Sequence, residues 1–229
     1  MSTDKLDLTT VMASTVHDVK NSLGMISADI ETVAADLAHT DPEKAEVLRR
    51  ILLEANRINS GLSHMLGVYR IDHDLVHPAL DEILVLEVLE DAAARYAGTL
   101  ENQHIEISID CPDEELVWVM DDNLVGHVLT NILTNAIRYT SSHIILSAKV
   151  ENGELCLGIT DDGRGYPSEL LNCLDPNASL RVKTSSTGLG IYFAHRIAEL
   201  HRHEGSGKIG HIETINKPEG GAFFGLWLP

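Results

Sequence analysis

Positive charge is scarce in this sequence of 229 residues, which contains 17 Lys and Arg residues against 35 Asp and Glu residues and has a formal net charge of −18 at pH 7. Nucleic acids and anionic lipid surfaces select Lys and Arg, so this balance argues against either of them as a partner. The charge favours solubility, and it leaves room for a partner protein that carries a basic patch.

Long hydrophobic runs and paired cysteines are also missing. No stretch approaches the roughly 20 apolar residues that a membrane-spanning helix needs, and the N-terminal segment lacks the basic and apolar parts of a signal peptide. The three cysteines, Cys111, Cys156 and Cys173, form no CxxC pair. Their odd number fits a reducing compartment better than a disulfide framework. The sequence therefore predicts a cytoplasmic protein without membrane insertion.

Two heptad patterns fill most of the first 75 residues. In the first, apolar residues are spaced alternately by four and three: Met12, Val16, Val19, Leu23, Ile26, Ile30, Val33 and Leu37. The second has the same kind of spacing: Leu48, Ile51, Ala55, Ile58, Leu62, Met65 and Tyr69. Between them, Asp41 can cap a helix and Pro42 suits its first position. These patterns predict an antiparallel hairpin of two amphipathic helices.

A two-helix hairpin has too small a core to hide both apolar seams. Two copies related by a two-fold axis would form a four-helix bundle and bury them. The alternative is a hairpin that packs on the C-terminal part of its own chain. We expect the dimeric bundle, and hence a homodimer.

The rest of the chain alternates between strand-like and helical patterns. Helices are expected over residues 85–100, from Asp121 or Asp122 to about Tyr139, and over residues 188–201. Strands are expected over residues 105–109, 115–120, 144–150, 155–159, 209–215 and 222–228, with Asn152-Gly153 as a hairpin turn. Several strands follow one another directly, which predicts an α/β domain with more antiparallel than parallel pairing.

His17 lies beside the first heptad seam, and Asn21 lies one helical turn away on the same outward face, with Asp18 adjacent. An exposed neutral imidazole on a rigid helix can act as a nucleophile toward a phosphoryl donor. The neighbouring carboxylate can act as a general base or fix the imidazole tautomer, and the amide could position a water for the reverse reaction. A surface His beside an Asp usually has no function. This cluster alone therefore does not indicate a function, and its interpretation depends on the other motifs in the chain.

A second cluster lies in the helix that ends near Tyr139. Asn131, Asn135 and Arg138 are spaced to share one face of that helix. Carboxamide oxygens suit Mg²⁺, which bridges substrate phosphates, and an arginine on the same face can bind those phosphates with two hydrogen bonds. The alternative is a polar helix face that only touches water.

Two glycine-rich segments complete the set. Asp161-Asp162-Gly163-Arg164-Gly165 follows a predicted strand, where glycines let the backbone approach a flat ligand and a carboxylate can accept a hydrogen bond from an amino group such as that of adenine. Thr187-Gly188-Leu189-Gly190 opens a predicted helix, whose free N–H groups suit phosphates. Residues 166–186 lie between them and could close over a nucleotide as a lid.

The order and spacing of these motifs resemble those of the sensor histidine kinases. The segment His17-Asp18-Val19-Lys20-Asn21-Ser22-Leu23 is similar to their H box, and residues 131–139 are similar to their N box. Asp161, Gly163 and Gly165 match the first glycine box, Gly188 and Gly190 match the second, and residues 220–229 resemble the closing strand. The resemblance implies a dimerisation and histidine-phosphotransfer domain over residues 1–75. It implies an ATP-binding α/β sandwich of the Bergerat (GHKL) type, shared with gyrase and the Hsp90 chaperone, over residues 76–229.

The resemblance also implies an activity. The γ-phosphoryl group of Mg-ATP would pass to His17 with Asp18 as the base, and then to an aspartate in the receiver domain of a response regulator. Asn21 would support dephosphorylation of that regulator. Asn135 would bind Mg²⁺ and Asp161 would recognise adenine. The other nucleotide-binding residues would be Asn131, Arg138, Tyr139, Gly163, Gly165, Thr187, Gly188, Leu189 and Gly190.

The sequence departs from the family pattern in several places. Ser22 replaces a common proline, which would leave the first helix straighter, Ser186 replaces a frequent glycine, and Arg138 replaces the usual lysine. Residues 166–186 contain no Phe, and loss of that aromatic lid motif would weaken ATP binding or slow turnover. Only 16 residues precede His17, so we expect a separate sensor protein if the chain is complete.

Two other functions remain open. The chain could be a phosphotransfer or scaffold protein whose ATP domain is weak or inactive, which a measurement of ATP binding would reveal. It could also be an ATPase or serine kinase of the same fold, in which His17 is incidental. The histidines His195, His201 and His203 suggest a metal site, but their place near the end of a helix suits the helix dipole equally well.

Overall fold

The computed structural model describes residues 8–38, 40–171, 186–203 and 205–229, with the backbone alone at residues 8–13, 169, 170, 186 and 187. The chain divides into two compact units, Met1–Leu75 and Val76–Pro229. This boundary coincides with the one expected from the sequence. Among the described helices, none combines the length and apolar character that crossing a bilayer requires.

Two long helices form the first unit. α1 spans Leu8–Leu37 and α2 spans Pro42–Asp72, and the two pack against each other as a hairpin. Asp41 is the N-cap of α2, and its side chain accepts a hydrogen bond from the backbone N–H of Lys44 over 3.2 Å. Pro42 occupies the start of the helix, so the predicted hairpin and its cap are confirmed.

Each apolar seam of the hairpin splits into two rows of residues seven positions apart. The row that faces the other helix is buried or half-buried and consists of Val16, Leu23, Ile30 and Leu37 on α1 and of Leu48, Ala55, Leu62 and Tyr69 on α2. The other row is exposed in the single chain, by 39%, 51% and 48% at Val19, Ile26 and Val33, and by 47%, 46% and 42% at Ile51, Ile58 and Met65. The contact between α1 and α2 therefore buries one of the two apolar rows on each helix, and it leaves the other row as a regular apolar face that is exposed to solvent.

The second unit combines short helices with a mixed sheet. Its helices are α3 (Val85–Ala94), α4 (Ala97–Gln103), α5 (Asp122–Tyr139), α6 (Ser168–Leu171) and α7 (Ser186–Leu200). Its strands are β1 (Asp81–Leu84), β2 (Glu106–Asp110), β3 (Val117–Met120), β4 (His143–Glu151), β5 (Glu154–Asp161), β6 (Arg202–His203), β7 (Lys208–Ile209), β8 (His211–Asn216) and β9 (Ala222–Leu228).

Five of these strands form the main sheet, in the order β2-β4-β5-β9-β8. β2 and β4 are parallel and every other neighbouring pair is antiparallel, so antiparallel pairing predominates, as predicted. Asn152 and Gly153, with φ angles of 53° and 73°, make the tight turn between β4 and β5. Helices α3 and α7 each contact α5, all three contact the sheet, and the apolar side of α5 is buried. The core of the unit lies between this helical layer and the sheet.

The structure differs from the expected elements in several places. The helix predicted over residues 85–100 is divided, because α3 ends at Ala94 and α4 begins at Ala97. Between them, the Tyr96 hydroxyl lies 2.9 Å from the Thr134 hydroxyl on α5. The spacing of apolar residues along the chain cannot predict such a tertiary contact. Strand β1 was not expected, since half of its four residues are acidic, yet it pairs with β3 in a two-stranded antiparallel sheet.

The third difference concerns the strand predicted over residues 209–215, which is interrupted at Gly210. The backbone N–H of Gly210 donates a hydrogen bond of 2.8 Å to the carbonyl oxygen of His201. A Cβ at this position would collide with the carbonyl oxygen of Ala198. The chain therefore leaves the short β7 and re-enters the main sheet as β8.

Candidate functional site

His17 lies on α1 with a side chain that is 72% exposed, next to the buried Val16. The amide nitrogen Nδ2 of Asn21 lies 3.2 Å from His17 Nδ1. Oδ1 of Asp18 lies 3.6 Å from the same ring nitrogen. Asp18 and Asn21, which the sequence singled out beside His17, therefore both lie near Nδ1 of the imidazole. α1 continues without interruption through Ser22, whose hydroxyl donates to the carbonyl oxygen of Asp18 over 3.0 Å.

The two asparagines of α5 have different surroundings. Nδ2 of Asn131 donates a hydrogen bond of 3.0 Å to the carbonyl oxygen of Gly190. This bond joins α5 to the first turns of α7. Asn135 is half-buried one helical turn further on, and no hydrogen bond joins its side chain to another part of the described chain. The amide of Asn131 is thus used by the fold, and the amide of Asn135 is available for a ligand.

Gly188, Leu189 and Gly190 lie in the first two turns of α7, where the sequence predicts a helix start. Thr187 belongs to the same helix, but its side chain lies outside the described residues. A Cβ on Gly190 would lie 2.7 Å from Oδ1 of Asn131, so glycine at this position lets the Asn131 amide keep its place between the two helices. The packing of α5 on α7 therefore explains a glycine at this position without reference to any ligand.

Asp161 ends β5 and is half-buried. Desolvation by burial raises the pKa of its carboxyl, although backbone N–H groups of Gly163 and Ala222 hydrogen-bond to it and oppose the rise. The bond from Gly163 measures 2.8 Å. A Cβ on Gly163 would collide with the carbonyl oxygen of Tyr139, so the first glycine segment runs directly against the end of α5.

Asp162, to which the sequence assigned no separate role, holds the turn between α5 and β4. Its Oδ1 accepts hydrogen bonds from the backbone N–H groups of Ser141 and Ser142 over 2.8 and 3.0 Å and from the Thr140 hydroxyl. Its Oδ2 accepts from the Ser142 hydroxyl over 2.6 Å. Desolvation alone would raise the pKa of Asp162, but these hydrogen bonds outweigh it and hold the pKa well below its usual range. No sequence signal distinguishes this role from that of Asp161.

Two arginines approach the aromatic ring of Tyr139. The guanidinium carbon of Arg164 is 4.6 Å from the centre of the ring, and that of Arg138 is 5.9 Å from it. Both distances are within the range of cation–π contact. The end of α5 and the first glycine segment therefore meet through side chains as well as through backbone.

Asn216 is a further residue whose role could not be found in the sequence. Its Oδ1 accepts a hydrogen bond of 2.7 Å from the backbone N–H of Tyr166, and its Nδ2 donates one of 2.8 Å to the carbonyl oxygen of Tyr166. Gly165 has a φ angle of +80° and lies so close that a Cβ would be 2.8 Å from Oδ1 of Asn216. This clamp fixes the exit of the glycine segment. The lid expected over residues 166–186 lies largely outside the described residues.

His201 has a structural environment rather than a metal site. It is 2% exposed, its Nδ1 lies 3.0 Å from the carbonyl oxygen of Ile197, and its Nε2 accepts a hydrogen bond of 3.2 Å from the backbone N–H of Asp121. Burial lowers the pKa of this imidazole. Across the described ranges, no group of three or more His, Cys, Asp or Glu side chains is arranged to hold a metal ion. Cys111 and Cys156 are free thiols, and Cys173 lies outside the described residues.

Comparison with known proteins adds the following similarities. Residues 120–229 match the family described as histidine kinase-, DNA gyrase B-, and HSP90-like ATPase. The sensor protein KdpD of Clostridium acetobutylicum is 26% identical over 227 residues, which cover 96% of this chain and 24% of KdpD. The sensor-like histidine kinase SenX3 of Mycobacterium bovis is 25% identical over 227 residues, which cover 95% of this chain and 53% of SenX3.

Among solved structures, the histidine kinase AdeS of Acinetobacter baumannii has a TM-score of 0.61 at 19% sequence identity, covering 87% of this chain and 94% of that one. This similarity shows a shared fold. The chain spans about a quarter of KdpD and about half of SenX3, so it corresponds to a part of each of these relatives.

Proposed function

We propose that the protein transfers the γ-phosphoryl group of ATP to its own His17. Residues 120–229 belong to the histidine kinase-, DNA gyrase B-, and HSP90-like ATPase family, and the chain is homologous to sensor histidine kinases. The observation that carries the proposal is the contact between motifs that are far apart in sequence. Asn131 reaches Gly190, and Gly163 abuts Tyr139, so the N box and both glycine segments border one region of the second unit.

The nucleotide would bind in this region. Asp161 is half-buried at the end of β5, where its carboxylate can accept a hydrogen bond from the amino group of adenine. Gly163 and Gly165 allow the backbone to approach the base, and Arg138 supplies positive charge for the phosphates. Gly188 and Leu189, together with Thr187, lie at the start of α7, where free backbone N–H groups favour an anion.

Asn135 is the proposed magnesium ligand. Its half-buried amide has no hydrogen-bond partner within the described parts of the chain, whereas the amide of Asn131 has one, and a neutral oxygen combined with phosphate oxygens is a ligand set that Mg²⁺ accepts. When bound, Mg²⁺ would neutralise charge on the β- and γ-phosphates. The chain's own part is to present one amide oxygen from a rigid helix.

The proposed attack is through Nε2. It uses the tautomer with its proton on Nδ1, beside Asp18, in which the amide nitrogen of Asn21 does not donate to Nδ1 and the lone pair of Nε2 is free to attack the γ-phosphorus. The Nε2–P bond forms while the bond from phosphorus to the β–γ bridging oxygen breaks and ADP leaves. The proton on Nδ1 then passes to Asp18, which leaves a neutral phosphohistidine ring. The exposure of the imidazole lets both the donor and a later acceptor reach it.

The same helix face would serve the partner reactions. We propose that phosphohistidine passes its group to an aspartate of a response-regulator receiver domain. Asn21, at 3.2 Å from the imidazole, would position a water for dephosphorylation of that regulator. The signal would come from a separate sensor protein, and both steps would take place in the cytoplasm, where ATP is abundant.

We further propose that the first unit is a homodimer. The exposed rows of the hairpin, which begin at Val19 on α1 and at Ile51 on α2, repeat every seven residues on both helices. Pairing with the same rows of a second copy would complete a four-helix bundle and remove this apolar area from water.

The proposal is tested by incubating the full chain with γ-labelled ATP and Mg²⁺ and comparing wild type with His17→Ala. We expect label that is labile in acid and stable in alkali, and that disappears in His17→Ala. His127→Ala, which removes another exposed histidine, serves as the matched control and should retain the label.

Other outcomes would contradict the proposal in distinguishable ways. Acid-stable label that survives His17→Ala would indicate a kinase acting on a hydroxyl group. ATP binding without any label would favour a phosphotransfer or scaffold protein with an inactive ATP domain. Failure of the wild-type chain to bind ATP would overturn the kinase function altogether.

A further inference from the structure

Arg164 is held by an aromatic ring rather than by a carboxylate. Its guanidinium carbon lies 4.6 Å from the centre of the Tyr139 ring, closer than that of Arg138 at 5.9 Å. Although the chain has twice as many acidic as basic residues, no carboxylate of the described ranges forms an ion pair with either of these two arginines. Arg49 and Arg57, in contrast, pair with Glu46 and Glu54 on their own helix.

The backbone on both sides of this contact is fixed. Gly163, next to Arg164, lies so close to the carbonyl oxygen of Tyr139 that no side chain would fit between them. On the other side, the carboxylate of Asp162 binds the backbone N–H groups of Ser141 and Ser142, two and three residues after Tyr139. Arg164 and Tyr139 are therefore held side by side, and the contact does not depend on a chance arrangement of two long side chains.

We propose that Arg164 is a positioning residue for nucleotide binding, which acts by stacking on Tyr139. The proposal rests on the ATP-binding function given above. A tyrosine ring covered on one side by a planar cation has less freedom to rotate, so less freedom is lost when a nucleotide packs against it.

The contact has consequences that differ from those of direct phosphate binding. If Arg164 acts through Tyr139, its removal should weaken nucleotide binding about 2- to 10-fold, the range expected for ordering one side chain. The effect should be similar for ATP and ADP, because the ring and not the γ-phosphate is involved. It should appear in KM for ATP, while kcat for labelling of His17 stays unchanged.

The experiment measures Kd for ATP and ADP on the full chain for Arg164→Ala, Arg164→Lys, Tyr139→Ala and the double variant Arg164→Ala/Tyr139→Ala. We expect Arg164→Ala to weaken both nucleotides and Arg164→Lys to recover part of the loss, since lysine retains the charge but not the plane. In the Tyr139→Ala background, Arg164→Ala should add little. Arg95→Ala, another exposed arginine of the same unit, is the control and should leave both Kd values unchanged.

Four results would overturn the inference. Additive losses in the double variant, or a loss confined to ATP, would mean that Arg164 contacts the phosphates itself. Unchanged Kd values in a folded Arg164→Ala protein would mean that the contact has no part in binding. Tighter binding would mean that the guanidinium obstructs the ring face that the nucleotide uses. Absence of ATP binding by the wild-type chain would instead overturn the proposed function, and a circular dichroism melt of each variant verifies folding.

Discussion

The side-chain amide nitrogen of Asn131 donates a hydrogen bond of 3.0 Å to the carbonyl oxygen of Gly190. This bond crosses from α5 to the beginning of α7 and joins two motifs that are 59 residues apart. It gives both residues a role in the fold of the proposed nucleotide site. The neighbouring Asn135 is left for a ligand.

Gly190→Ala should disturb this junction. The new Cβ would lie 2.7 Å from Oδ1 of Asn131, and the amide would have to move. We expect a loss of stability of about 1–3 kcal/mol, typical of overpacking, together with weaker ATP binding. Thermal unfolding and an ATP titration provide the measurement.

Gly126→Ala is the matched control for that substitution, since Gly126 is also helical but has no atom within 4 Å of its would-be Cβ. We expect this variant to be as stable as wild type, or more stable by up to about 1 kcal/mol. Equal behaviour of the two variants would show that the α5–α7 junction is not tightly packed.

Asp162→Asn should destabilise the turn at residues 140–142. We expect a loss of about 1 kcal/mol at pH 7, the low end for hydrogen bonds to a charged group, because Asp162 is exposed. The folded pKa is lowered from the ordinary 3.8, so the stabilisation is present above that value and is lost as the pH falls through the folded pKa. The difference between the variant and wild type should therefore shrink in strong acid.

Denaturant unfolding at pH 7 and at about pH 2 checks this prediction. Asp110→Asn, which neutralises an exposed carboxylate on β2, is the control and should change stability little at either pH. A difference for Asp162→Asn that is the same at both pH values would show that its charge does not hold the turn.

His201 should make the second unit less stable in mild acid. Its folded pKa is lowered from 6.5 by burial, so below pH 6.5 the unfolded state takes up a proton that the folded state resists. With respect to this group, stability is constant above pH 6.5. It falls as the pH drops from that value to the folded pKa, by at most about 1.4 kcal/mol per pH unit. Unfolding midpoints from pH 8 to pH 5 measure the effect.

His201→Gln should lower stability at pH 8 but remove this part of the pH dependence, because glutamine does not titrate. His127→Gln, at an exposed position on α5, should leave the wild-type pH dependence in place. A fall in stability that persists unchanged in His201→Gln would have to come from another group.

Ile26→Glu combined with Ile58→Glu should separate the proposed homodimer. Both side chains are about half exposed in the single chain, at 51% and 46%, so the charges cost little in a monomer but would be buried in a bundle. Sedimentation velocity should show wild type at twice the chain mass and the variant at the chain mass. Ala35→Glu, an exposed position on α1 outside the heptad rows, should remain dimeric. A monomeric wild type would contradict the bundle.

Much of the fold could be predicted because its signals are local. The heptad rows, the Asp41-Pro42 helix start and the Asn152-Gly153 turn each depend on residues within about one or two helical turns or one tight turn of one another. The strand β1 and the break before α4 could not be predicted, since one depends on pairing with β3 and the other on the contact between Tyr96 and Thr134.

The sequence by itself determined most of the elements and their order, the outward face of His17 with Asp18 and Asn21, and the motifs that border the proposed nucleotide site, because spacing and capping act over a few residues. Only the tertiary structure decided which residues in and around those motifs form hydrogen bonds that hold the fold together. Asp162 binds a turn 20 residues away, Asn216 clamps Tyr166 across 50 residues, and His201 meets Asp121 across 80. Hydrogen-bond partners at such separations leave no pattern in the chain, since folding alone brings them together.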